Sequence, residues 1–225
     1  MSSAKKLDPA LLSNIEVAEF LRDVIFYEVP FLGVFPVDKI PYKSLVKQNF
    51  WSIIVNLDKH TEPGSHFVAV ARNPNGRFFY FASLALPSSS RPKSLTTFLS
   101  DIQKENEVMP LWEIEKPIQA LDSTACGYFT IFFVLVWHFC DVTYKDLDTL
   151  CHKLGREKDL SKNDLYVYKS IRELISKYVS EKTSVLRNLH LEKLPLWPKI
   201  QCHHSSNLSA KTKRKEDEKE EEKEE

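Results

Sequence analysis

The stretch that decides the fold runs from Ile118 to Cys140 and reads IQALDSTACGYFTIFFVLVWHFC. A polar Asp122-Ser123-Thr124 step leads into Cys126-Gly127, and beyond it every residue from Tyr128 to Cys140 is apolar except Thr130 and His138. The run is shorter than the roughly 20 residues a membrane span requires, so it predicts a helix buried on nearly all sides at the centre of a mixed α/β domain. A helix that starts near Cys126 puts the thiol beside unpaired backbone N–H groups and the positive end of the helix dipole. That setting lowers a cysteine pKa toward a reactive thiolate. Gly127 has no side chain to block approach, and the backbone N–H groups around it are donors for an oxyanion. By itself Cys126 is equally well a structural thiol, because cysteine is among the most buried residue types.

Working outward, SNIEVAEFLRDVIF places Ser13 and Glu16 in capping-box spacing, with Ile15, Ala18, Leu21, Val24 and Ile25 at helical intervals. VPFLGVFPVDKIP reads as a connector, since Pro30, Pro36 and Pro41 remove backbone donors. WSIIVNL and HFVAVAR are β-branched and aromatic, and the NPNG turn joins HFVAVAR to RFFYFAS, so Phe67 to Ser83 predicts a hairpin and the three segments one sheet. SLTTFLSDIQKE carries Leu95, Phe98, Leu99 and Ile102 on one helical face. LWEIE and PIQAL read as brief strands. TYKDLDTLCHKLG and NDLYVYKSIRELISKYVSEK are amphipathic helices, the first closing at Gly155. The fold class is therefore α+β, a small sheet flanked by helices around a central buried helix.

The 225 residues allow one substantial core. Residues 1–201 are read as one domain and 202–225 as a disordered charged tail, in which KTKRK (Lys211 to Lys215) is followed by an acidic run. Lysine plus arginine equal aspartate plus glutamate at 31 each, so no global field demands nucleic acid or an anionic membrane. Only four cysteines and no secretory leader pattern predict an intracellular, reducing setting without disulfides. Cys140, Cys151, His152, Cys202 and His203 do not follow the paired spacings of zinc sites, and no cofactor is expected.

A nucleophilic thiol needs a base. His138 lies three helical turns past Cys126, too far along the axis at 1.5 Å per residue. His203 and His204 lie in the tail, whereas His66 opens a strand directly after Glu62-Pro63-Gly64-Ser65 and is the best candidate. Gln119, seven residues before Cys126, carries a side-chain amide of the kind that donates to an oxyanion, although alone it is an ordinary polar residue.

The order His66, Gln119, Cys126-Gly127 at the head of a buried helix resembles the adenovirus-type (adenain-like) cysteine peptidases, relatives of the peptidases that process ubiquitin-like proteins. The likeness is nearest to the versions carried by Polinton/Maverick elements and large DNA viruses. It rests on GVFPVDKIP (Gly33 to Pro41), WSIIVNLD (Trp51 to Asp58), GSHFVAVARN (Gly64 to Asn73), FYFASLALP (Phe79 to Pro87) and IQALDSTACGYF (Ile118 to Phe129). It spans roughly Leu12 to Phe139. The resemblance implies a papain-like/adenain-like fold, with Cys126 as nucleophile, His66 as general base and acid, and Gln119 as oxyanion donor. The implied reaction is peptide-bond hydrolysis through an acyl-thioester, on viral or mobile-element precursor proteins often cut after small residues. DNA and a small peptide, the activators of adenoviral members, are partners by this analogy only, as is a virion, nuclear or cytoplasmic location; no membrane partner is implied.

One departure stands out. Where the resemblance calls for a carboxylate to orient the histidine, the chain has Ala82, and Phe67 replaces the tryptophan that commonly follows it. Loss of the orienting acid costs a serine enzyme about 10⁴-fold, while a thiol depends less on base assistance. Ser83 should point to the opposite face from Ala82; Asp58 and Asp122 are not triad positions in the family. Three readings stay open: an active endopeptidase, a binding module that has lost turnover, and a deconjugase of ubiquitin-like proteins, the last ranked lower for want of the tryptophan and the aspartate.

Overall fold

The computed structural model describes residues 12–25, 31–73, 76–105, 111–139 and 143–181. The charged tail expected at 202–225, with KTKRK, lies outside them, as do Cys140 and Cys202. The elements in order are α1 (Asn14–Ile25), β1 (Phe31–Pro36), α2 (Tyr42–Leu45), β2 (Trp51–Asn56), β3 (Phe67–Arg72), β4 (Phe78–Phe81), α3 (Lys93–Glu105), β5 (Trp112–Glu113), α4 (Cys126–Phe139), α5 (Tyr144–Leu154) and α6 (Ser161–Glu181).

The strands form one mixed sheet in the order β1-β2-β3-β4-β5, in which β2, β3 and β4 are antiparallel and each edge strand is parallel to its neighbour. The three central strands are buried on both faces, so they read as continuous apolar runs. Strand alternation divides them between two cores. Ile54, Phe67, Ala69, Ala71, Phe79 and Phe81 pack with α4 and with residues of α1, α5 and α6. Trp51, Ile53, Val55, Val68, Val70, Phe78, Tyr80 and Ala82 face the other way, onto Leu95, Phe98, Leu99 and Ile102 of α3. The fold is thus α+β, with α4 as the buried central helix.

Two sequence expectations are corrected. The proline-punctuated connector contains β1, whose residues are only partly buried. An edge strand tolerates proline because one side of its backbone ladder has no partner; Pro36 closes this strand, and its register with β2 slips between Phe31 and Val34 around Gly33, at φ +132°. PIQAL, predicted as a strand, is none: Pro117 to Leu121 is irregular backbone held by hydrogen bonds to Ser83 and to α6. The hairpin across NPNG and the capping box of α1 form as expected, with Glu16 N donating to Ser13 Oγ at 3.2 Å and Ser13 N to Glu16 Oε2 at 2.8 Å. α5 begins with a second capping box, Thr143 with Asp146, and closes at Gly155. Among the described residues no helix is long and apolar enough to cross a membrane.

Candidate active site

Cys126 is the first residue of α4 and is 5% exposed. The chain enters the helix through a local brace in which Ala125 N donates to Ser123 Oγ at 3.1 Å. The thiol faces the backbone N–H groups of Phe67, Gly127 and its own residue. The first of these belongs to the peptide link between His66 and Phe67, so folding carries the histidine to within one residue of the sulfur. The Phe67 ring follows, 3.5 Å from the point where a Cβ on Gly127 would lie.

The ionisation of the pair differs from the sequence expectation. Burial pushes the Cys126 thiol above its ordinary value, and this outweighs the N–H groups that favour the thiolate. The helix start alone does not make a reactive thiolate here. His66 is 8% exposed, its Nε2 has no hydrogen-bond partner, and burial depresses its pKa to about 4. Both groups therefore rest neutral near pH 7, and a neutral imidazole has one ring nitrogen able to accept a proton.

No carboxylate contributes to the His66 shift, which burial alone causes. The reason is in the sheet. β3 and β4 pair as far as Ala69 with Phe81, and just past the end of β4 the buried residue that packs with Val68 on the α3 face is Ala82, which carries no carboxylate. Asp58 accepts a hydrogen bond from Ser65 Oγ at 2.7 Å, one residue before His66.

Gln119 is fully buried in the loop that leads to Cys126. Its Oε1 accepts from Ser83 Oγ at 2.5 Å, and its Nε2 donates to the Ser123 carbonyl at 2.9 Å. Ser83 lies in the turn just past β4, where strand alternation no longer applies, and its own carbonyl accepts from Ile118 N and Gln119 N. Sequence reasoning missed the rest of the frame. Asn163 Nδ2 donates to the carbonyls of Ile118 (3.0 Å) and Leu154 (2.9 Å), and the Asp164 carboxylate accepts from Ala120 N at 3.3 Å from each oxygen. These α6 residues are buried polar groups in the first turn of a helix, a position that in sequence reads as ordinary capping. Leu12 was also unmarked; it packs on the head of α4, 3.4 Å from a Cβ placed on Gly127. His138 stays away from the site and shares a 2.7 Å hydrogen bond with Ser52 Oγ on β2.

No protein-family model matches the chain, and no curated protein sequence does. Solved structures do. The ASFV pS273R protease matches with a TM-score of 0.51 and 16% identity over 74% of this chain and 67% of its own. The SUMO protease Ulp1, solved with its catalytic cysteine oxidized to a sulfinic acid, matches with a TM-score of 0.40 and 14% identity over 71% of this chain and 81% of its own. The central domain of Lpg1148 from Legionella pneumophila gives 0.43 and 12% over 71% and 97%. At such identities the likeness is one of fold. The chain shares the mixed α+β fold of the ASFV pS273R protease.

Proposed function

We propose that this chain is a thiol endopeptidase of the adenoviral type that acts on viral or mobile-element precursor proteins, as its likeness to the Polinton/Maverick versions implies. The observation that carries the reading is the His66–Phe67 peptide N–H against the Cys126 thiol at the start of a buried helix. In this mechanism the neutral His66 ring takes the Sγ proton as sulfur attacks the substrate carbonyl carbon. The oxyanion so formed is met by backbone N–H groups at the head of α4 and by the Gln119 amide. Collapse breaks the C–N bond, His66 returns its proton to the departing amine, and water hydrolyses the thioester.

A second reading, a substrate-binding module without turnover, is favoured by one specific feature: Ala82 where an orienting acid would stand. Full-length protein assayed on glycine-rich peptides and on ubiquitin-like C-terminal probes separates these readings and the deconjugase. Hydrolysis of the peptides, abolished in Cys126→Ala together with labelling by a thiol-reactive probe, is the expected result. Peptide binding with no cleavage in either protein would establish the module instead, and cleavage confined to the ubiquitin-like probes would establish a deconjugase.

A further inference from the structure

The carboxamide of Gln119 is held at both ends. The Ser123 carbonyl can only accept, so the amino end must face it; a flipped amide would bring two acceptors together across 2.9 Å. That choice turns Oε1 toward Ser83, whose hydroxyl must then donate. The backbone on either side is fixed as well, by Ser83 O, Asn163 and Asp164. A carboxamide nitrogen carries two N–H groups, and Ser123 occupies one.

We propose that Ser83 is a positioning residue whose hydroxyl fixes the Gln119 carboxamide with its amino group on the side of the loop ending at Cys126, leaving the second N–H for an oxyanion. The inference rests on the peptidase reading above. Ser83 does not touch substrate. It acts through Gln119, and it sits beside the position that lacks an acid, so the end of β4 that gives His66 no carboxylate still supplies a hydrogen bond to the oxyanion donor.

The test is a double-mutant cycle with Gln119→Ala. Removing an oxyanion donor outright lowers kcat by about 10²–10³-fold, so loosening it in Ser83→Ala is expected to lower kcat by about tenfold with KM unchanged. Ser83→Thr should recover most of the loss. In the Gln119→Ala background Ser83→Ala should add nothing, and alkylation of Cys126 by iodoacetamide, which needs no oxyanion site, should keep its rate. Equal losses of kcat in both backgrounds, or a parallel fall in alkylation, would overturn the proposal. A second measurement does not depend on turnover. The Gln119 side-chain NH₂ protons, followed by ¹⁵N NMR in the full chain, should exchange slowly in the wild type and at least tenfold faster in Ser83→Ala; unchanged exchange would also overturn it. Wild-type protein as inert as Cys126→Ala would sink the peptidase reading alone, with the exchange rates still deciding on Ser83.

Discussion

Two neutral groups, a raised thiol and a depressed imidazole, stand at the candidate site. Restoring the charge that would favour the imidazolium is the sharpest single-residue test. Ala82 is 1% exposed, so Ala82→Asp buries a carboxylate and should destabilise the fold by about 1–3 kcal/mol at pH 8, where no imidazolium repays it. The same change should move the His66 pKa up from about 4 and raise kcat/KM, read by NMR titration and by peptide hydrolysis. A histidine still titrating at its wild-type value, with an unaltered rate, would show that position 82 does not face the ring. His66 and Cys126 were nominated in the sequence from residue type and position, and Gln119 took its role from the resemblance. Their ionisation was not, because a pKa reports the burial that only the packed structure supplies.

Elements hold those residues in place, and the first turn of α6 does so from a segment more than 40 residues further along the chain. Asn163→Ala would remove the side-chain donor from the Ile118 carbonyl and leave the Leu154 carbonyl with Glu157 N alone. The expected cost is about 1–3 kcal/mol in denaturant titrations, and kcat should fall with little change in KM as the Gln119 loop loosens. Gly127→Ala is expected to behave in the opposite way for stability. Its Cβ would make ordinary contacts at 3.4–3.5 Å with Leu12 and Phe67, so helix propensity should raise stability by up to about 1 kcal/mol in thermal melts, while the added methyl slows Cys126 alkylation. The helices other than α2, and the β3–β4 hairpin, were readable because period and turn chemistry agree along the chain. β1 and the Pro117–Leu121 loop were not: one is an edge strand, which admits proline, and the other is irregular backbone whose hydrogen bonds go to the Ser83 carbonyl and to α6 side chains, all distant in sequence.

Across the whole molecule, two histidines tie stability to pH. Burial lowers His66 to about 4 and His138, whose Nδ1 is shut off from solvent without a partner, to about 3. Unfolded histidine titrates near 6.5, so below that pH the unfolded chain binds protons that the folded one refuses. Stability should therefore fall as the pH drops through 6.5, continuing to about 4 for His66 and about 3 for His138, with no contribution from either above that window. Each ring adds a slope approaching about 1.4 kcal/mol per pH unit. Urea midpoints between pH 7.5 and 5 measure it, and His138→Asn should remove roughly half of the slope; a flat profile would mean that the rings are hydrated.

From the sequence alone came the α+β class, the central helix that begins at Cys126, the hairpin, and the nomination of one thiol, one imidazole and one amide, because periodicity, turn chemistry and side-chain reactivity are local properties. The tertiary structure alone decided that the His66–Phe67 peptide meets the sulfur, that both groups rest neutral, and that Ser83, Asn163 and Asp164 frame Gln119. Desolvation and hydrogen-bond partnership depend on which distant segments are packed together, and no spacing along the chain encodes that.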